Sequence, residues 1–317
     1  MKQEFEDLYE SMNISEIKEF WELALKDKKK ARVISLVAIL IIDLVIIGVL
    51  LKRLDGLSEF VHQLPYFIIS TLFIDIMILF IFAIVSNTRN VKIYNMEFKE
   101  EAIEKLLECA LEKVDYIPQK GMPKYIYDEG KYTEFYNRYY SDDYVQAKLD
   151  GKYNMLMAEV KTQKEETKTG SDGKTHTETT TIFHGLFLKI NIGKSINNEL
   201  KIKQNGIFSK YKLDMDSQEF EKYFDVTSTD KIVGMQLLTH DIMELLVSFR
   251  KIIKKTFDII IRDDIMYIRL HIGAMFEPKI NKKEVLDKEI LRRYYNILDI
   301  VCTLSKKMAE NVNDTQI

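Results

Sequence analysis

Two long apolar runs stand out near the start of the chain. Residues 33–51 contain one charged residue in 19 positions, and residues 66–86 contain one in 21. At a rise of about 1.5 Å per residue, each run is long enough to cross a hydrocarbon core of about 30 Å. The connection between them is short, so the pattern predicts a two-helix transmembrane hairpin.

A helical stripe precedes the first run. Its apolar residues recur at spacings of three and four: Ile14, Ile17, Phe20, Trp21, Ala24 and Leu25. This spacing predicts a cytosolic amphipathic helix within residues 1–32. Two positions for this helix stay open: it lies in the membrane interface, or it packs against the soluble part of the chain.

Residues 87–317 contain no further spanning run and predict a soluble domain. A helical stripe covers 98–114, alternating positions predict strands at 153–161, 182–192, 257–261 and 266–272, and a short strand is expected at 201–203. Helices are expected over 216–224, 233–253 and 283–308. The fold class is therefore α+β: a transmembrane hairpin, then a cytosolic domain with an antiparallel sheet and a C-terminal helix.

Two polar features of this domain have plain structural interpretations. Residues 165–180 lack any apolar side chain, which predicts a solvated, mobile hairpin tip. Tyr267, Arg269 and His271 alternate on one face of a predicted strand. Such a face could bind an anion, but a solvated face is the favoured interpretation.

Basic residues cluster directly before the first apolar run, at Lys26, Lys28, Lys29, Lys30 and Arg32. Basic flanks stay on the cytoplasmic side of a membrane, so both termini are expected there, with residues 52–65 outside. The same five residues are candidates for contact with anionic lipid. The expected location is the cell membrane, in a multi-pass topology.

Composition removes several classes of function. The net charge of −3 argues against a nucleic-acid partner. Two cysteines, Cys109 and Cys302, form no paired motif, and the five histidines show no metal-ligand spacing. Residues 170–175 read GSDGKT, which is two residues too short for a phosphate-binding loop. No catalytic, cofactor-binding or metal-binding residue is predicted, and no cofactor.

The two apolar runs each contain one acid, Asp43 and Asp75. Asp43 lies ten residues from the cytoplasmic end of its run, and Asp75 lies eleven from that of its own. The two carboxyl groups should therefore lie level near the middle of the membrane. A proton or cation site is one interpretation, and a neutral hydrogen bond that holds the hairpin or joins subunits is the favoured one.

Several segments together resemble a family of uncharacterised bacterial membrane proteins, domain of unknown function 3137. The segments are SDDYV at 141–145, MLMAEV at 155–160, TIFHGLF at 181–187, FEKYFDV at 220–226, STD at 228–230, LLT at 237–239, IMYI at 265–268 and FEP at 276–278. The resemblance extends over about residues 90–310 and implies two membrane helices ahead of a soluble domain. Family members often have proline after the LLT segment, where this chain has His240.

The family has no agreed activity, so function is argued from the features above. The expected role is a non-enzymatic binding or scaffold module at the inner face of a bacterial membrane, with the lipid bilayer and an unknown protein as partners. One alternative is an intramembrane proton- or ion-coupled or channel-like component that uses Asp43 and Asp75, with homo-oligomers as an open question. A further alternative is an unrecognised membrane-anchored enzyme.

Overall fold

The computed structural model describes residues 2–53, 69, 71–79, 89–169, 175–204, 212–278 and 288–314. The chain divides into two compact units. The helical unit comprises Asn13–Glu101 with Pro278–Asp287. The sheet unit comprises Met1–Met12, Ala102–Glu277 and Lys288–Ile317.

The helical unit is built on one helix of 40 residues, α2 (Ile14–Arg53). The predicted amphipathic helix and the first apolar run are therefore one continuous element. No glycine or proline separates them, and the lysine-rich stretch between them is compatible with helix.

The amphipathic part of α2 packs against another helix of the same unit, α4 (Arg89–Phe98). Ile17, Ala24 and Ala31 are buried on α2, and Val91, Tyr94 and Phe98 are buried on α4. The three α2 residues follow one another at intervals of seven, the repeat of a coiled-coil seam. The amphipathic part of α2 therefore has a helical partner within its own unit.

One described helix is long and apolar enough to cross a membrane. It covers Ile14–Val49, and its most apolar stretch has a mean hydropathy of 2.7 with none of it buried. In the second apolar run, residues 71–79 are helical (α3) and residue 69 is too, while the remainder lies outside the described residues. Among the described residues, the fold thus contains one candidate membrane-spanning helix where the sequence predicted a hairpin of two.

The sheet unit is α+β, as predicted, with one antiparallel sheet. In chain order its nine described strands are β1 (Glu112–Ile117), β2 (Arg138–Leu149), β3 (Tyr153–Thr169), β4 (Thr175–Asn191), β5 (Glu199–Gln204), β6 (Lys212–Leu213), β7 (Phe224–Ser228), β8 (Phe257–Arg262) and β9 (Ile265–Leu270). They are ordered β1-β2-β3-β4-β9-β8-β5-β7-β6 across the sheet. β1, β2, β6 and β7 were not predicted.

Eight further helical segments complete the described structure. They are α1 (Lys2–Ser11), a π-helical turn (Lys99–Glu104), α5 (Lys105–Ala110), α6 (Lys124–Asp128), α7 (Gln218–Glu221), α8 (Lys231–Leu237), α9 (His240–Ile253) and the C-terminal α10 (Lys288–Asp314). Two predicted helices differ from these. The stripe predicted to reach residue 114 stops at Ala110, and 233–253 forms two helices bent by 68° at Thr239.

The polar stretch at 165–180 is strand in its described part and almost entirely exposed, which agrees with the predicted solvated hairpin, although the sequence did not predict that the strands extend this far. β3 and β4 pair as far as Thr169 and Thr175, and Thr167 lies opposite Thr177. Threonine is β-branched, and cross-strand threonine pairs stabilise a ribbon without any burial. Residues 170–174, at the end of the ribbon, lie outside the described residues.

Both faces of the sheet are covered. On one face, Phe249 of α9 lies 4.9 Å from Phe257 of β8, between ring centroids. On the other face, the segment that leads from α6 to β2 covers β3, β4 and β9, and Tyr127 lies 5.1 Å from Phe187. The sheet is therefore the middle of three layers, which explains why strands such as β3 bury neighbouring residues on both sides.

Candidate functional site

The polar face of β9 is buried, so the prediction of a solvated face is wrong. Arg269 is 1% exposed and Tyr267 is 6% exposed. The segment between α6 and β2 covers this face. It has no regular apolar pattern, so the sequence does not predict that it packs there. A residue face that looks solvated in a strand pattern is buried when an irregular segment packs on it.

Arg269 is bound on all sides. Its guanidinium donates hydrogen bonds of 3.0 and 2.6 Å to Asp258 and one of 3.2 Å to Glu134, and it lies 3.7 Å from the ring centre of Tyr132. Burial opposes the charged form, but the nearby Asp258 carboxylate raises the pKa of Arg269 above its ordinary value. This arrangement is a buried cross-link between β8, β9 and the covering segment, and it leaves little access for a ligand.

An open groove in the same unit is more accessible to a ligand. It has a volume of about 610 Å³, and its walls include four titratable side chains and two tyrosines: Asp142, Glu159, His184, Glu277, Tyr139 and Tyr140. We call it the acidic groove. With the buried Asp143, Asp142 and Glu159 form a cluster whose carboxylate oxygens lie within 4.8 Å of one another.

An irregularity in β2 creates the cluster. Neighbouring strand residues normally point to opposite faces. The β2–β3 register shifts between Asp142 and Val145, and Asp143 takes a φ of 54°. This bulge brings two consecutive carboxylates to the same place, next to Glu159 on the paired strand.

The two buried acids of the cluster have firm partners. Glu159 accepts hydrogen bonds from the backbone N–H groups of Met275 and Phe276, at 2.5 and 2.6 Å. Asp143 accepts one of 2.5 Å from the hydroxyl of Tyr116. Burial raises the pKa of Glu159 to about 7 against the effect of its hydrogen bonds, and the charges of Asp143 and Asp142 raise it further.

The raised pKa makes a prediction about stability. A carboxyl group with a higher pKa in the folded state stabilises the fold at low pH and loses that contribution as pH rises from about 4.5 to about 7. Glu159→Gln keeps an acceptor for the two N–H groups and cannot ionise. It should raise the free energy of unfolding at pH 8 by roughly 2–3 kcal/mol, and flatten its pH dependence between pH 5 and 7.

Thermal unfolding of the full-length protein in mild detergent, from pH 5 to 8, measures this effect. Glu166→Gln, at an exposed position on β3, is the matched control and should leave the pH profile unchanged. A Glu159→Gln variant less stable than the parent at pH 8 would contradict the account.

The predicted site residues lie elsewhere, in the helical unit. Asp43 and Asp75 are half-buried on α2 and α3. The five basic candidates lie on α2, immediately before its unburied apolar part, and four of them are exposed: Lys26, Lys29, Lys30 and Arg32. None of these residues lines the acidic groove.

The sequence carried two signals for the groove. Glu159 is the single charged residue in MLMAEV, an otherwise apolar strand segment. Four of the segments that carry the family resemblance, distant in sequence, contribute to the groove: Ser141 and Asp142, Glu159 and Val160, His184, and Glu277. The other signal, the side-by-side acids Asp142 and Asp143, depends on a bulge that sequence patterning does not reveal.

The two cysteines line a second pocket of the sheet unit, of about 460 Å³. Neither forms a disulfide bond within the described residues. Burial raises the pKa of Cys302 to about 12, and the charge of Asp299 raises it further. A thiol with a raised pKa is a poor nucleophile, so Cys302 is not suited to covalent chemistry at neutral pH.

A comparison with known proteins finds one family whose model matches part of the chain. Residues 181–309 match the family described as "Protein of unknown function (DUF3137)", which confirms the resemblance predicted from the sequence. No curated protein sequence matches the chain. A solved structure, the "mycobacterial trehalose monomycolate transport factor A, TtfA", is similar at a TM-score of 0.33 and 8% identity, over 67% of this chain and 97% of that one. A similarity this low carries no argument about fold or function.

Proposed function

We propose that the protein is a membrane-anchored binding module whose acidic groove receives a positively charged segment of a partner protein. The observation that carries the proposal is the carboxylate cluster of Asp142, Asp143 and Glu159, placed at a groove that is open to solvent.

The charge balance of the groove favours a cationic occupant. Its walls contain Asp142, Glu159 and Glu277 against one lysine, Lys161. Burial lowers the pKa of His184, and the charge of Lys161 lowers it further, so this histidine adds no compensating charge at neutral pH. An approaching ammonium or guanidinium group would be attracted to the cluster and would favour the ionised form of Glu159.

The size and the aromatic walls of the groove favour a side chain over a bare ion. A volume of about 610 Å³ is of the size that accommodates organic ligands, about 300–1,000 Å³. Tyr140 is 53% exposed at the groove, and a tyrosine ring attracts the cation of arginine or lysine. Tyrosine is also enriched at protein interfaces.

The apolar part of α2 determines on which side of the membrane the groove would bind its partner. The unburied apolar part of α2 is the membrane segment in this proposal, and the basic residues Lys26–Arg32 mark its cytoplasmic end. The second apolar run, 66–86, would return the chain to the same side. Both termini and the sheet unit then lie at the inner face of the membrane, where the basic residues contact anionic lipid.

Cysteine labelling checks this topology. In a variant without the native cysteines, Ser58→Cys lies in the connection between the apolar runs, and Ser171→Cys lies between β3 and β4. An impermeant thiol reagent should label the first in intact cells and the second only after lysis. Labelling of Ser171→Cys in intact cells would contradict the proposed orientation.

The proposed ligand class is tested by thermal stabilisation of the full-length protein in detergent. A ligand that binds only the folded state raises the unfolding temperature. A short arginine-rich peptide should do so at low salt, and Asp142→Asn with Glu277→Gln should abolish the shift. Glu166→Gln serves as the control and should retain it.

Calcium and manganese are the parallel arms of this experiment. If either metal raises the unfolding temperature and the peptide does not, the ligand of the groove is a metal ion rather than a protein segment. No shift with any cation would overturn the proposal for the groove.

A further inference from the structure

The paired ends of β3 and β4 extend beyond their neighbouring strands. Among the described residues, β2 pairs with β3 only as far as Gln163, and β9 pairs with β4 only from Leu186 onward. Residues 164–169 of β3 and 175–181 of β4 therefore have one strand neighbour each, and most of them are exposed. We call these two stretches the threonine ribbon.

The backbone groups of the threonine ribbon point alternately to its two edges. Glu165 donates its N–H to the side-chain oxygen of Asn137, and its C=O accepts from the side-chain amide of Asn137, each at 2.8 Å. Both groups therefore point away from β4. In an antiparallel pair, opposite residues either exchange both hydrogen bonds or neither. Thr179 lies opposite Glu165, so its N–H and C=O point away from β3.

Every second residue repeats this orientation, so β4 has a row of outward backbone groups. They belong to Thr175, Thr177, Thr179 and Thr181, which pair with β3 in one unbroken register. The four side chains share one face of the ribbon, because residues two apart in a strand do. Within the described residues, none of the outward groups forms a backbone hydrogen bond. This outer edge of β4 can therefore accept a further strand.

Other described edges of the sheet are protected against such pairing. The register of β1 shifts within the strand, where Lys113 takes a φ of 52°, and β6 has only two residues. On the outer edge of β3, Asn137 occupies the backbone groups of Glu165. Bulges, short strands and covering groups are common means of blocking exposed strand edges. The stretch 175–181 has no bulge, proline or lysine, so it remains able to pair.

We propose that the outer edge of β4 pairs with the same edge of a second copy of the chain, antiparallel about a two-fold axis at Thr177. The two ribbons then form one four-stranded sheet, in the order β3-β4-β4-β3. Thr175 of one copy lies opposite Thr179 of the other, and His176 lies opposite Glu178. Threonine pairs are favourable across antiparallel strands, and an imidazole N–H can donate to a carboxylate.

The side chains of the edge select this register. An axis at Glu178 would place two carboxylates directly opposite each other, which is destabilising. An axis at Thr179 would place Glu178 opposite Thr180, without a basic partner from the second copy. With the axis at Thr177, each Glu178 lies between His176 of the second copy and Lys168 of its own chain, with which it already forms an ion pair.

The flatness of the ribbon favours a second copy over a foreign strand. A strand added to a sheet edge obtains affinity from backbone hydrogen bonds and specificity from pockets beside the edge. Residues 166–169 and 175–181 are exposed, so the surface beside this edge is flat. Specificity then depends on the residues that lie opposite each other, and one sequence supplies both sides. The candidate membrane helix would also hold two copies in one plane, which raises their effective concentration.

A disulfide across the axis tests the pairing. In full-length protein with Cys109 and Cys302 replaced by serine, Thr177→Cys lies opposite its own counterpart, at a Cα separation of about 5.5 Å that a disulfide can span. Mild oxidation in native membranes should convert most of this variant to a disulfide-linked dimer.

Thr167→Cys is the matched control for the disulfide. Thr167 lies opposite Thr177 on the same face and is also exposed, but it belongs to the other strand of the ribbon. At a strand spacing of about 4.8 Å, its counterpart in the second copy lies about 14 Å away. It should therefore stay monomeric under the same oxidation.

Proline tests the backbone hydrogen bonds without any added cysteine. Thr177→Pro removes an outward N–H at the axis, and proline is tolerated on an edge strand where the N–H faces solvent. It should abolish energy transfer between donor- and acceptor-labelled copies of the full-length protein in the same vesicles. Thr167→Pro removes an outward N–H from the opposite edge of the ribbon and should leave the energy transfer unchanged.

Several outcomes would overturn the proposal. They are no dimer from Thr177→Cys, equal dimer from Thr167→Cys, and energy transfer that survives Thr177→Pro. A disulfide from Thr177→Cys to a different protein would mean that a foreign strand occupies the edge. The disulfide experiment decides the question alone if Thr177→Pro fails to fold. Neither experiment changes a residue that lines the acidic groove, so the result is independent of the proposed function.

Discussion

Arg269→Met is expected to destabilise the protein by about 3–5 kcal/mol, the typical effect of removing one partner from a buried ion pair. Methionine fills much of the volume of the arginine side chain but carries no charge and no donor. Asp258, which is 8% exposed, would lose both hydrogen bonds from the guanidinium and remain buried with only His271 nearby, at 3.3 Å. Urea unfolding of the full-length protein in detergent, followed by near-UV circular dichroism, measures the loss.

Two control variants separate burial from charge. Arg138→Met breaks an ion pair with Glu165 in which the side chains are 53% and 34% exposed, so solvent screens the pair and its loss should cost far less than the loss of Arg269. Arg269→Met with Asp258→Asn removes the unpaired charge, and this double variant should be more stable than Arg269→Met alone. Equal effects at Arg269 and Arg138 would show that the buried network contributes little.

Gly185→Ala should also destabilise strongly, by roughly 3–5 kcal/mol, since it combines overpacking with backbone strain. A Cβ atom at this position would lie 1.8 Å from the carbonyl oxygen of Leu270 and 2.9 Å from the nitrogen of Ile272. Both are backbone atoms and cannot rotate away. β4 would have to separate from β9, next to the paired residues Leu186 and Leu270.

Gly273→Ala is the matched control for this variant. Gly273 has a φ of 75°, but a Cβ there meets nothing within 4 Å. It should cost about 1 kcal/mol from backbone conformation alone. Unfolding of the two variants under the same conditions gives the comparison, and a Gly185→Ala variant as stable as Gly273→Ala would mean that the two strands can adjust without loss.

Much of the sheet unit was predictable because its elements obey local periodicity. β8 and β9 have alternating apolar residues on either side of a short turn, and α10 has a long apolar stripe. All three elements were therefore predicted from the sequence. The strand pattern of β3 and β4 was recognised only where apolar side chains marked it. Their threonine-rich continuation was missed because cross-strand pairing, rather than burial, holds it in place.

The acidic groove and the Arg269 network escaped prediction for a different reason. Both depend on contacts between segments distant in sequence. Asp143 reaches Glu159 through a bulge in β2, and Arg269 is buried by a segment that ends more than a hundred residues earlier in the chain. Periodicity reports which face of a strand is apolar, and it carries no information about what later covers the other face.

The continuity of α2 was not predicted, because its sequence pattern changes along its length. The amphipathic stripe gives way to a uniformly apolar run at the lysine-rich stretch. Lysine is a good helix former, so a change from polar to apolar residues need not end a helix. The seven-residue spacing of Ile17, Ala24 and Ala31 was visible in the sequence and would have indicated a helical partner.

Photo-crosslinking from the groove tests the central proposal most directly. A benzoylphenylalanine in place of Tyr140, in the full-length protein in its native membrane, lies at the acidic groove. Phe135 is 67% exposed and does not line the groove, so the same substitution there is the matched control. The proposal predicts a crosslink from position 140 to a partner segment that contains lysine or arginine. Asp142→Asn with Glu277→Gln should abolish that crosslink and leave any crosslink from position 135 unchanged. A crosslink from position 140 that survives this neutralisation, or that joins a segment without basic residues, would contradict the proposal.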